Sequence, residues 1–239
     1  MEMAQKRLND SAPLRWLVLV LISGLMFATY WFQDCLGPLK SLMESQLGFD
    51  SSQFGLIVAS TTWANLALMI ILGGIALDRW GIRKTGTIFS VLAAVGAAIV
   101  AFANKGFFGL DKNTMLVWMI IGRLLFGTGL ETVCVMVSRT VVKWFKGHEL
   151  ALAMAINVGF GRLGTAGAIL LGVSIANGNV YAGLSFAASL IGLAFILFLA
   201  YLVLDVKFDK RENALAQASE VSEEEAFKFK DLAKLITDR

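Results

Sequence analysis

Charge is scarce in this sequence. Only 16% of its 239 residues are Asp, Glu, Lys or Arg, while 57% are hydrophobic. A water-soluble domain carries about 25% charge, so the shortage excludes a soluble globule and indicates an integral membrane protein. Histidine occurs once, at His148, and cysteine twice, at Cys35 and Cys134. These are too few soft ligands for a zinc, iron–sulfur or haem centre, so no metal and no cofactor is expected. Both cysteines read as small apolar fillers. The net charge is +3, with no basic stripe on a soluble domain, so a nucleic-acid partner is not expected. No GxxxxGK[ST] loop is present to drive a pump with ATP, and no Ser/His/Asp constellation supports an enzyme.

What the sequence does hold is six apolar stretches, roughly 14–40, 53–77, 85–104, 115–142, 150–176 and 180–205. About 20 apolar residues suffice to cross the hydrocarbon core as a helix, and none of the stretches alternates as barrel strands do. Lys6, Arg7 and Arg15 precede the first stretch, as basic residues precede a signal peptide. That apolar run is longer than a signal peptide's and no small-x-small cleavage site follows, so it reads as a retained first span. The fold class expected is all-α, a six-helix transmembrane bundle over residues 1–206.

Lysine and arginine fix the orientation. The N-terminal segment, the turn holding Arg79, Arg83 and Lys84, the connection with Lys143 and Lys146, and Lys207, Lys210 and Arg211 are all basic. Of the intervening connections the first is nearly neutral, the second holds Lys105, Lys112 and Asp111, and the third is uncharged. By the positive-inside rule both termini are cytoplasmic, in a multi-pass protein expected in the cell membrane with the lipid bilayer as its solvent. Glycines fall inside the spans, at 122, 127 and 129 and again at 159, 161, 164 and 167, where they let helix backbones approach closely. Residues 207–239 form a second unit. An acidic, polar linker leads into "AFKFKDLAKLI", in which Phe229, Leu232 and Ile236 recur at helical spacing as in an amphipathic surface helix.

The most specific motif lies between the second and third stretches, in "GGIALDRWGIRKTG". Positive-inside charge accounts for Arg79, Arg83 and Lys84, but not for Asp78 at a helix end or for Gly81 in a tight turn. The pattern Gly74-x-x-x-Asp78-Arg79-x-Gly81-x-Arg83-Lys84 resembles the loop signature of the major facilitator superfamily. Arg123, followed by Gly127 and Gly129, looks like that superfamily's motif on the fourth helix. The resemblance implies the N-terminal six-helix half of a twelve-helix transporter, with these residues belonging to its gate. Arg123 itself is expected to brace the fourth helix against the first, with Asp34 as a candidate partner, rather than to touch substrate. Drug/proton antiporters of the superfamily carry a Gly-Pro motif on the fifth helix, and residues 150–176 contain no proline, so drug efflux is disfavoured.

Two longer stretches, "TTWANLALMIILGGIALDRWGIRKTG" and "WFKGHELALAMAINVGFGRLGTA", resemble the branch of the superfamily that contains a lysosomal dipeptide uniporter. The chain departs from that branch at Ala64, where a proline is usual, and at Asp34-Cys35-Leu36-Gly37-Pro38, where Asp-Asn-Pro is usual.

Glu131 and Arg162 stand near the middles of the fourth and fifth spans, which are consecutive and antiparallel, so the two charges share one depth. A charge at the bilayer centre costs about 2.5–3.5 kcal/mol on insertion scales, so each needs a partner or a purpose. One reading is a mutual salt bridge between the two spans. The other is a site for a zwitterion, whose ammonium meets Glu131 and whose carboxylate meets the Arg162 fork. In the resembled branch an acid and an arginine of this kind hold the two ends of a dipeptide, which favours the second reading. Asp34, Trp63 and Asn65 are further candidates to line the cavity, and Arg139 is expected to snorkel towards the surface.

The function expected is secondary or facilitative transport of a small polar, zwitterionic solute by alternating access. The partners expected are that small molecule and a second six-helix half, supplied in cis, as a separate chain or by a homodimer. Alternatives are a half-transporter or a six-helix scaffold or receptor without transport of its own, and carriage of another small organic anion. The topology predicts that a cysteine introduced at Gly147 is labelled from the cytoplasmic face and one at Gly178 from the opposite face. Labelling in the reverse sense would overturn the orientation.

Overall fold

The computed structural model describes the backbone of residues 8–66 and 69–237, and the side chains of residues 8–63 and 69–214. A short 3-10 turn, Leu8–Asp10, leads into seven helices: α1 Ala12–Asp34, α2 Leu36–Leu47, α3 Ser51–Leu66, α4 Met69–Asn104, α5 Lys112–Phe145, α6 Leu150–Ala176 and α7 Val180–Thr237. The described residues contain no strand. Five helical stretches are long and apolar enough to cross a membrane, namely Ala12–Leu47, Met69–Asn104, Lys112–Phe145, Leu150–Ala176 and Val180–Ala214.

The seven helices resolve into the six spans through two local breaks. The first separates α1 from α2 at Cys35. Pro38 lacks an N–H and cannot donate to the carbonyl of Asp34, which loosens the helix there. The second break is inside α4, at Gly81, with φ 74° and ψ 173°. A side chain is strained at that φ, whereas glycine is not. The Thr85 hydroxyl donates to the carbonyl of Ala76 at 3.0 Å. In a continuous helix residues nine apart would be separated by about 13 Å, so the chain turns back at Gly81.

Contacts along α5 show the same reversal. Gly73 lies against Thr132 and Asp78 pairs with Arg139, so residues 69–80 run parallel to α5. Gly96 lies against Gly122 and Gly86 against Met136, so residues 82–104 run antiparallel to it. Residues 69–80 therefore belong with α3 to the second span, and residues 82–104 form the third.

α1 and α6 run parallel through contacts of Phe27 with Gly164 and Trp31 with Gly167, and α2 continues the line through Pro38 on Gly172. α7 crosses back beside α1 and the third span, through Leu197 on Gly24 and Phe198 on Gly86. The N-terminal turn, the Gly81 turn, the α5–α6 connection and Asp205 accordingly gather at one end of the bundle. There Arg15 is buried, donating to the carbonyl of Asn9 at 2.5 Å and to Glu149 at 3.0 Å. Lys6 and Arg7 lie outside the described residues.

Small residues set the helix spacing, as the sequence suggests. A Cβ on Gly127 would stand 2.1 Å from the carbonyl oxygen of Thr61, and one on Gly164 would stand 2.2 Å from that of Phe27. The backbones touch at these points, and Phe32, Phe126, Trp144 and Phe198 fill the wider spaces between them. α7 stays helical through the acidic stretch that composition reads as a linker, up to Thr237. The apolar face expected from Phe229, Leu232 and Ile236 lies outside the described side chains.

These contacts generate a stability prediction. Gly127→Val and Gly164→Val should each lower the melting temperature and folded yield sharply, because backbone atoms cannot move aside. Gly159→Ala, with nothing within 4 Å of the new methyl, should leave both unchanged. Thermal unfolding followed in detergent micelles checks the contrast.

Candidate functional site

Glu131 and Arg162 lie near the middles of α5 and α6, each on a face the bundle leaves open. On α5 that face carries Val117, Ile121, Leu124, Thr128 and Glu131, none of them buried. On α6 it carries Ala155, Val158, Arg162, Ala166 and Ile169, all exposed. The opposite faces, with Gly122, Phe126 and Gly129 on α5 and Asn157, Gly161, Gly164 and Ala168 on α6, are buried.

Tyr30 on α1 links the two charges. Its ring packs on Gly161, where an added Cβ would stand 3.1 Å away. Arg162, Glu131 and Cys134 all lie in its neighbourhood. An acid, a guanidinium, a phenol and a thiol thus gather at one level, where α1, α5 and α6 meet. Cys134 is a half-buried free thiol near Tyr30.

The other residues singled out from the sequence fall elsewhere. The Asp34 carboxylate accepts from the Thr165 hydroxyl at 2.6 Å, fastening α1 to α6. Arg123 does brace α5 against α1, but not through Asp34. Its guanidinium is buried and donates to the carbonyls of Phe32 and Gln33, each at 2.9 Å. These carbonyls lie in the last turn of α1, just before the break at Cys35, where a helix end carries partial negative charge that suits a cation. The rings of Phe32 and Phe126 flank the same guanidinium at 5.6 and 5.8 Å. Trp63 on α3 is 38% exposed, and the side chain of Asn65 lies outside the described residues.

At the Gly81 end a second polar cluster ties three spans together. Arg83 Nε donates to Asp205 Oδ2 at 2.7 Å, and one of its terminal nitrogens donates to the Asp205 carbonyl at 2.9 Å. Lys143 reaches Asp205 and Asp209, each at 2.7 Å, and the Tyr201 hydroxyl donates to Asp205 at 2.8 Å. Arg83 also pairs with Asp209. Asp205 is only 1% exposed, so two cations and a hydroxyl surround a carboxylate removed from water. Beside them Trp80, Gly81, Arg83, Lys143 and Asp205 help line a cavity of about 260 Å3.

On the same end Asp78 pairs with Arg139, linking the second span to α5. Arg139 is exposed at that end, where its charge is met by Asp78. Gly74 faces open space, and Arg79 and Lys84 are exposed on either side of the turn. Asp205 escapes the sequence reading, although an acid in the apolar run "LVLDVKF" carries the same signal as Glu131. Tyr30 leaves no such signal, since tyrosine is at home in a membrane helix.

Comparisons with known proteins point to one group. The family profile described as Major Facilitator Superfamily matches residues 22–237. The chain is 33% identical over 153 residues to the lysosomal dipeptide transporter MFSD1 of Homo sapiens, a match covering 63% of this chain and 31% of that protein. It is 34% identical over 152 residues to the protein of the same name from Danio rerio, with the same coverage. An uncharacterized MFS-type transporter, Rv2994 of Mycobacterium tuberculosis, is 26% identical over 180 residues, covering 75% of this chain and 38% of the other. The chain spans about a third of the length of the curated relatives it matches.

Asp205 provides the prediction here. Asp205→Asn strands two cations against a neutral amide, and breaking a buried pair costs about 3–5 kcal/mol. Asp209→Asn, at a carboxylate 41% exposed, should cost well under half of that. Chemical denaturation of both variants in the same detergent measures the difference.

Proposed function

The chain belongs to the major facilitator superfamily, and on that premise we propose that it forms the substrate-holding six-helix half of a transporter for a small zwitterionic solute, a dipeptide or amino-acid-like molecule. The observation that carries the proposal is the placement of Glu131 and Arg162 at mid-depth on open helix faces, with the Tyr30 ring packed on Gly161 beside Arg162. Charges that only held the bundle together would turn inward, as Arg123 and Asp205 do. A solute with an ammonium at one end and a carboxylate at the other would neutralise both side chains without burying either alone. The names of the MFSD1 relatives, lysosomal dipeptide transporters, agree with such a substrate.

The open faces of α5 and α6 would be closed by a second six-helix unit, whether in cis, as a separate chain or as another copy. Rocking of the two units about the central site would expose the pair to each side in turn. The end carrying Arg15, Arg83, Lys143 and Lys146 would face the cytoplasm. Asp78 and Arg139, both well exposed at that end, would sit at the gate and act on the switch rather than on binding.

Transport assays in the reconstituted twelve-helix assembly test both parts. Arg162→Lys should fail almost as badly as Arg162→Ala, because an ammonium cannot present the planar fork. Glu131→Gln with Arg162→Gln should keep thermal stability near that of the parent protein while abolishing uptake. An end-blocked dipeptide should not be carried, and equal transport of the blocked and free peptides would assign the pair a structural role. Asp78→Asn should lower turnover far more than folded yield.

A further inference from the structure

The connection between the third span and α5, at the end opposite the Asp205 cluster, is apolar where a water-exposed loop would be polar. Phe107 is 75% exposed and Leu110 is 85% exposed. Their exposure is built into an ordered turn. The N–H groups of Gly106 and Phe107 donate to Ala103 and Phe102 at 2.9 and 3.1 Å, and that of Gly109 donates to Gly106 at 3.1 Å. Gly106 and Gly109 take φ of 76° and 145°, which bends the backbone as side-chain-bearing residues rarely permit.

Four rings are locked in series. The centroids of Phe102 and Phe107 are 5.7 Å apart, those of Phe107 and Phe108 are 5.3 Å apart, and Phe108 stacks on Trp118 at 4.4 Å.

The third span leads its lipid-facing surface into this tip. Ile88, Val91, Val95 and Phe102 are exposed at helical spacing along it. This span packs on α5 at Gly122 and Gly129, whose directions lie about 200° around the helix from Leu124 and Glu131. It therefore stands behind α5 as seen from the charge pair, and its outer stripe looks away from any unit that closes the site. Charge supports the same environment. The Lys105 ammonium is held over the Tyr181 ring at 5.1 Å, and Lys112 has no protein partner among the described residues. The one nearby acid, Asp111, is engaged in capping α5 by accepting from the Thr114 N–H at 2.9 Å.

We propose that the 105–112 turn is an interfacial anchor that seats Phe107 and Leu110 at the headgroup–acyl boundary of the bilayer, with Lys105 and Lys112 at the level of the lipid phosphates. The anchor lies on the leaflet opposite the Asp205 cluster and fixes the depth of the α4–α5 pair while the opposite end carries the gating charges. It is independent of what the Glu131 and Arg162 pair binds.

Depth measurement by electron paramagnetic resonance tests it. A nitroxide is attached at Phe107→Cys in a full-length background carrying Cys35→Ser and Cys134→Ser, reconstituted in phosphatidylcholine nanodiscs. Collisions with oxygen should exceed those with a water-soluble nickel complex at least threefold. A label at Ser52→Cys, exposed at the same end, should show the opposite ratio. A Phe107 label as open to nickel as Ser52 would place the tip in water and overturn the anchor. A label shielded from both reagents would show that protein covers the tip, and would overturn it equally.

Discussion

The bilayer interior offers no water to a charged or hydrogen-bonding group, so each ionisable residue in the apolar spans must be met by protein or by a ligand. The bundle is arranged around that requirement. Arg123 turns inward to two carbonyls at the end of α1, where the break at Cys35 leaves acceptors to be satisfied. Asp205 is enclosed by Arg83, Lys143 and Tyr201. Asp34 is held by Thr165. Glu131 and Arg162 lie on helix faces that open outward, in a neighbourhood that includes Tyr30.

Close backbone approach is the second condition, and it makes the first possible. Lipid chains are as apolar as leucine, so helices in a membrane gain little by hiding apolar side chains from them. Association rests on contact between backbones. The glycines of α5 supply it towards the second and third spans, and those of α6 supply it towards α1. The α6 glycines also determine where Tyr30 lies, since its ring occupies the space left by Gly161 beside Arg162. One small residue thus connects helix spacing to the composition of the site.

Polar and aromatic groups divide along the bundle axis. Mid-depth holds the charge pair, one end holds the ion pairs of Asp78, Arg83, Lys143 and Asp205, and the other end holds the aromatic turn. The ion pairs join the second, third, fourth and sixth spans.

The sequence by itself determined the class, the six spans and the presence of two charges at one depth. Length, apolar content and the position of an acid in an apolar run are local properties that survive without coordinates. The turn at Gly81 was legible for the same reason, since a glycine between basic residues at a span end has few other uses. What only the tertiary structure decided is which groups face one another. Arg123 finds carbonyls rather than Asp34, and Arg139 finds Asp78 at the exposed end of the bundle, because helix rotation and crossing set those pairings. Tyr30, Cys134 and Asp205 entered the picture the same way. The cations that enclose Asp205 lie 122 and 62 residues away along the chain, and packing alone brings them within a few ångströms.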